Sequence, residues 1–241
     1  MKTRTLPLRL AALPLALVSV FSAALIPSGA FAQSQTAAQL KEIVVTATRT
    51  QTRADDLVSD VVVLNRAAIE ASTGRTLTEV LARSAGLQIS ASGGTGSLSG
   101  VFVRGTEARH TILLIDGVRY GSATAGAPNW DTLPLEMVER IEVLKGPGSA
   151  LYGSEAVGGV VQVFLRQGAK GFNPTAAVTV GSFGFAQLSA GLASGDGNLS
   201  YAIGVQKMQD KSFSATNEKV PFGSFNADRD GFKQDALNVS L

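Results

Sequence analysis

Few side chains in this sequence could do bond chemistry, and the most suggestive group could hold a cation instead. In Asn226-Ala227-Asp228-Arg229-Asp230-Gly231, Asp228 and Asp230 stand two positions apart behind an amide. Such an all-oxygen set suits a hard cation such as calcium. It is not an EF-hand loop, because Leu237 occupies the position of the bidentate glutamate. The alternative is a solvated acidic loop. Cysteine is absent, which excludes a thiol nucleophile, a thiolate metal site and a disulfide scaffold. His110 is the only histidine, and a lone histidine is more often structural than catalytic or metal-bound. Neither a G-x-S-x-G elbow nor an H-E-x-x-H pair occurs. No enzyme is expected.

Two segments suit recognition better than catalysis. Residues 90–100 are rich in glycine and serine, with Ser90, Ser92, Gly93, Gly94, Thr95, Gly96, Ser97 and Leu98 forming the candidate contact surface. Backbone of this composition lets a bulky ligand approach closely; a plain flexible linker is the alternative. A dinucleotide loop is rejected, because Gly100 follows Gly96 one residue too late and a strand, not a helix, comes next. The second segment is Glu42-Ile43-Val44-Val45-Thr46-Ala47-Thr48. It is strand-prone, and no turn signal follows to fold it back. It reads either as an extended peptide free to add to a partner's sheet edge or as a first strand of the domain that follows. Arg104, Glu139, Arg140, Glu142 and Lys145 are candidates for inter-domain ion pairs, with ordinary surface charges as the alternative.

The elements that must position these residues follow a targeting segment. Lys2, Arg4 and Arg9 precede an apolar run over 10–26, and Ala30-Phe31-Ala32 ends it. This predicts a secretory signal peptide over 1–32. The chain holds 21 basic and 19 acidic residues; without those three cations, 18 face 19. The mature chain is near neutral, so no nucleic-acid partner is expected. No later apolar run approaches the ~20 residues of a spanning helix, so membrane entry would require a barrel.

Residues 33–54 read as a polar tail carrying the strand-prone segment at 42–48. Residues 55–168 read as a mixed α+β domain. A buried strand is expected at 61–64, and a helix opened by a Thr76/Glu79 capping box and closed by Gly86. Strands are expected at 101–104, 111–115 and 160–165, with a hairpin turn at Asp116-Gly117. Pro134 could start a helix, since Leu135, Val138 and Ile141 would share one helical face. Gly146-Pro147-Gly148 reads as a turn.

From residue 169 the period becomes two. Ala186, Leu188, Ala190 and Leu192 alternate with Gln187, Ser189 and Gly191. The same pattern recurs at 199–207 and 235–241, and more weakly at 176–182. A soluble sheet alternates likewise. A tight turn at 194–198 and a long polar loop at 208–230 favour the short-and-long asymmetry of membrane barrels. Four strands are too few to close one, and Leu241 falls inside an alternating run, so further strands are expected.

Arg104-Gly105, Ile115-Asp116-Gly117-Val118, the run from Val138 to Pro147, Ser149-Ala150-Leu151-Tyr152-Gly153-Ser154 and Gly158-Gly159-Val160-Val161 together resemble the plug-domain motifs of TonB-dependent outer-membrane receptors. Within that family the 92–118 stretch is similar to the cobalamin-receptor members. The resemblance implies an α+β plug at 55–168 lodged in a barrel of about 22 strands, of which 169–241 would be the first. It implies that Glu42 to Ala47 is the TonB box, that TonB and outer-membrane lipid are partners, and that residues 90–98 meet cobalamin or another large nutrient chelate. It also implies calcium at Asp228 and Asp230, with Ser214 near the place of a further expected aspartate. The expected function is energised import of a corrinoid. An iron siderophore or haem cargo, a signalling receptor and a surface adhesin are the alternatives.

Overall fold

A computed structural model of the chain describes residues 43–44, 49–53, 56–72, 74–122, 126–196, 199–219 and 225–241. The expectations placed on 1–42 and 45–48, including the signal peptide and most of the TonB box, lie outside them.

In chain order, β1 (Ile43–Val44) and β2 (Thr52–Arg53) precede β3 (Asp60–Leu64), α1 (Arg66–Glu70) and α2 (Leu77–Ser84). Then come β4 (Gln88–Ala91), β5 (Ser99–Phe102), β6 (Thr111–Ile115), β7 (Val118–Tyr120), β8 (Val138–Lys145), α3 (Ser149–Tyr152) and β9 (Gly159–Leu165). Strands β3, β8, β9, β6 and β7 form one sheet in that order, parallel only between β6 and β9. Ile112, Leu113 and Leu114 of β6 are all buried. A strand covered on both faces reads as a continuous apolar run rather than an alternating one. On one face Leu113, Ile141, Val143, Val161 and Val163 pack with Leu77, Val80, Leu81 and Trp130. On the other, Ile112, Leu114, Leu144 and Val160 meet Ala156 and Tyr152.

Helix α2 forms as its caps predict. The Thr76 hydroxyl accepts from the Glu79 amide at 3.4 Å, and Glu79 Oε2 accepts from the Thr76 amide at 3.3 Å. Gly86 takes φ +65 beyond the last turn, and Leu87 N reaches back to Leu81 O at 3.3 Å. A box of this kind contributes about 1 kcal/mol. The Asp116-Gly117 turn also forms, with both residues at positive φ.

Three expectations are corrected. The helix expected from Pro134 is a single 3-10 turn at Leu135–Met137, and Val138 begins an eight-residue strand. The three-residue spacing of Val138 and Ile141 also fits a strand carrying a bulge, which lies between Val138 and Arg140. Pairing with β3 and β9 on both edges then outweighs the helical reading. Strand β3 lies at the sheet edge and is half-buried, with only Leu64 enclosed. The strand expected at 101–104 ends at Phe102, and Arg104 and Gly105 turn the chain at φ +52 and +76.

Beyond the sheet run β10 (Gly171–Val180), β11 (Ala186–Gly195), β12 (Ser200–Asp210) and β13 (Phe232–Ser240), an antiparallel meander. Gln187, Ser189, Ala193, Ala202, Gln206 and Met208 are buried against the mixed domain. Leu188, Ile203, Val205, Leu237 and Val239 point away and are exposed. The polar side of the alternation therefore faces inward and the apolar side outward, the reverse of a soluble sheet and the arrangement of a membrane barrel wall. Between β11 and β12, the Asp196 carboxylate accepts from Leu199 N at 3.1 Å.

Candidate functional site

The glycine-serine segment is the connection of a β-hairpin, not a linker. β4 and β5 pair from Gln88↔Phe102 to Ala91↔Ser99, so Ser90 lies within a strand opposite Gly100. Residues 92–98 form the tip. Ser92 N donates to Leu98 O at 3.0 Å and Ser97 N to Gly94 O at 3.1 Å. Leu98 presents an exposed apolar side chain there.

The tip's glycines are required by what lies beside it. A methyl group on Gly94 would strike the Ser212 hydroxyl, and one on Gly96 would strike the Phe232 ring. A methyl on Gly93 would sit 3.1 Å from Ala215 Cβ. Gly96 also has φ +81, a conformation that side chains disfavour. Thus residues 92–98 are wedged against the end of β12, the start of the 211–231 connection and the start of β13.

Two carboxylates that the sequence reading did not single out secure this arrangement. Asp131 is buried and accepts the Thr78 hydroxyl at 2.6 Å and the Ser99 hydroxyl at 2.8 Å. Asp210 accepts the Thr95 hydroxyl on Oδ2 at 2.7 Å and the Ser212 amide on Oδ1 at 2.8 Å. No local motif marks either residue, since the hydroxyls they accept come from 32 to 115 positions away in the chain. A cavity of about 410 Å³ lies behind the tip, lined by Arg75, Thr95, Asp131, Phe183, Gln206 and Asp210 among others.

The candidate ion pairs stay inside the mixed domain. Arg104 pairs with Asp60 at 3.0 Å, Arg140 with the fully buried Glu142 at 2.9 Å, and Arg166 with Glu139 at 3.9 Å. Arg140 also covers the Phe164 ring at 3.8 Å. The domain meets the outer strands through hydrogen bonds rather than ion pairs among these candidates, as where Gln234 Nε2 donates to Thr132 O at 2.5 Å. His110 serves through its backbone carbonyl, which accepts from Gly158 N at 2.9 Å.

Of the acidic loop, Asp230 Oδ2 accepts from Ala215 N at 2.7 Å, and Asn226 Oδ1 accepts from Asp228 N at 3.3 Å. Ser214 donates to Asn226 O at 2.5 Å. Among the described residues, no three His, Cys, Asp or Glu side chains gather to hold a metal.

The described part of the strand-prone segment is paired within the chain, contrary to expectation. Ile43 and Val44 pair antiparallel with Arg53 and Thr52. No Gly or Pro stands between Val44 and Thr52, which is why the sequence did not announce this pairing. Glu42, Val45, Thr46 and Ala47 lie outside the described residues. Arg49 stands 4.8 Å from the centre of the Tyr152 ring. Burial pushes the Tyr152 hydroxyl above its ordinary value, and the hydrogen bond and charge of Arg49 oppose that rise.

Comparison with known proteins places these features. The TonB-dependent receptor plug-domain family matches residues 53–160. The vitamin B12 transporter BtuB of Vibrio cholerae serotype O1 is 37% identical over 196 residues, which is 80% of this chain and 31% of that protein. The vitamin B12 transporter BtuB of Photobacterium profundum is 37% identical over 214 residues, 86% of this chain and 33% of that protein. The chain thus spans about a third of the length of these curated relatives. Among solved structures, the ferripyoverdine receptor of Pseudomonas aeruginosa superposes with a TM-score of 0.59 at 17% identity, over 70% of this chain and 22% of that one. The ferric enterobactin receptor PfeA in complex with BCV-L6 gives 0.60 at 22% identity, over 74% of this chain and 30% of that one. At such identities the likeness is one of fold.

Proposed function

The chain belongs to the TonB-dependent receptor family, and from that premise we propose that it is the plug and first wall strands of an outer-membrane receptor that imports cobalamin or a related corrinoid. The family is one of receptors and transporters rather than enzymes. The observation that carries the reading is the hairpin tip at 92–98, wedged against a wall whose apolar side faces away from the plug. Such a tip offers backbone polar groups and Leu98 to a ligand arriving from the side of the 211–231 connection, while the outward Val and Leu residues suit lipid. The likeness to vitamin B12 transporters supports the choice of ligand.

Glu42 to Ala47 are the proposed TonB box. An extended segment donates and accepts main-chain hydrogen bonds at a sheet edge, whatever its side chains. Ile43 and Val44 spend theirs on Arg53 and Thr52, so capture by TonB either adds to the open edge or displaces β2. Ligand at the tip would favour the released form, a coupling of two sites. Calcium at Asp228 and Asp230 is proposed as an aid that orders the 225–231 segment. The oxygen donors suit the ion, but two carboxylates alone make a weak site. Calorimetry on the intact receptor would show saturable calcium binding that Asp228→Asn weakens; no heat would end this proposal.

Competition decides the cargo. Cells carrying the full-length gene should bind labelled cobalamin, and unlabelled corrinoids should displace it. Displacement by ferric siderophores or haem instead would transfer the assignment to those chelates. Loss of uptake, but not of binding, in cells lacking TonB would support the energised mechanism; uptake that persists would remove it.

A further inference from the structure

We infer that Asp131 and Asp210 are positioning residues that hold the 92–98 tip at its base and at its apex, one from the plug and one from the barrel wall. The inference rests on the reading of the tip as the ligand-facing element. At the base, Asp131 is nearly enclosed, at 8% exposure, and its two oxygens take hydroxyls from different elements. Thr78 belongs to α2 and Ser99 opens β5, so one carboxylate ties the hairpin to the helix that packs on the sheet. At the apex, Asp210 ends β12. Its Oδ2 takes Thr95 from the tip while Oδ1 takes the amide of Ser212, the second residue of the outer connection.

The division of labour follows from the packing. Gly93, Gly94 and Gly96 let the tip lie against Ala215, Ser212 and Phe232, but glycines supply contact without direction. A glycine-rich loop left to itself samples many conformations. Hydrogen bonds to carboxylates are directional and roughly twice as strong as neutral ones. Asp131 fixes where the hairpin leaves the plug, and Asp210 fixes which part of the wall the apex meets. Because Asp210 holds Thr95 and Ser212 together, displacement of the tip by ligand must also move the start of the 211–231 connection. The tip and the start of that connection therefore respond together. A ligand whose contacts fell on either would reorganise both.

The test uses the full-length receptor in outer-membrane vesicles. This chain contains no cysteine, so Leu98→Cys places one nitroxide label in it at the tip. Without ligand, the label should give a slow spectral component. Thr95→Val and Asp210→Asn should each convert it to a fast one, and the double variant should do no more than either single change. Thr95→Ser, which keeps the hydroxyl, should restore the slow component. Ser99→Ala should loosen the label independently, so that its effect adds to that of Thr95→Val. A slow component that survives Thr95→Val, or effects of Thr95→Val and Asp210→Asn that simply add, would overturn the inference. Labelled cobalamin separates this from the ligand assignment. If the wild type binds it, Thr95→Val, Asp210→Asn and Ser99→Ala should each weaken binding about tenfold, as expected for one charge-assisted hydrogen bond, and unchanged affinity in them would overturn the positioning role. A wild type that binds no cobalamin sinks only the choice of ligand, and the label still decides the rest.

Discussion

The guanidinium of Arg49 lies over the ring of Tyr152, 4.8 Å from its centre, and so pins the segment that follows the proposed TonB box to the third helix of the plug. Such a contact is worth about 0.5–2 kcal/mol. Arg49→Gln is expected to raise ligand-independent crosslinking between residue 44 and TonB by about two- to thirtyfold. The same change removes the group that opposes burial at the Tyr152 hydroxyl. Phenolate absorbance should therefore develop at higher pH in the variant than in the wild type, as ultraviolet difference titration would record. Unaltered crosslinking would mean that the contact does not restrain the box.

Val44→Pro removes a main-chain donor from the segment that pairs with Thr52 and Arg53. Transport is expected to be abolished while surface binding of ligand is kept, because the tip at 92–98 belongs to a separate hairpin. Uptake and binding measured on the same cells check this. Preserved uptake would refute the assignment of the box.

The two faces of β12 should differ sharply in tolerance. Val205 points outward at mid-strand, and Val205→Arg is expected to cost about 2–4 kcal/mol of folding stability in a bilayer. Gly204 faces the plug, where an added methyl would meet Met137 Cγ at an ordinary 3.5 Å. Gly204→Ala should change stability by no more than about 0.5 kcal/mol. Denaturant titration of the receptor folded into vesicles would compare them, and equal costs would argue against a lipid-facing side.

At Gly96 both backbone and space forbid a side chain, because φ is +81 and the Phe232 ring is in the way. Gly96→Ala is expected to cost about 1–3 kcal/mol through strain and to dislodge the tip, with a loss of ligand affinity. Adding Phe232→Ala should restore part of the affinity by opening space, though not the part due to backbone strain. Binding isotherms of the three variants supply the check; affinity unchanged in Gly96→Ala would remove the tip from the ligand contact.

The sequence alone determined whatever depends on neighbours in the chain. The Thr76 and Glu79 caps, the Gly86 stop, the Asp116-Gly117 turn and the alternation of the outer strands each arise within a few residues of backbone, so local residue types suffice to specify them. The glycines at 93, 94 and 96 advertised a close approach without saying to what. The tertiary structure decided whatever depends on pairing across distance. It turned Val138 to Lys145 into a strand by flanking it with β3 and β9, against a spacing that a helix also satisfies. It brought Asp131 to Ser99 and Asp210 to Thr95, and it set the polar side of the alternation toward the plug. A hydrogen bond between residues far apart in sequence leaves no local periodicity to read, and an alternating strand carries the same pattern whichever side faces in. Only the placement of the plug against the wall chooses between them.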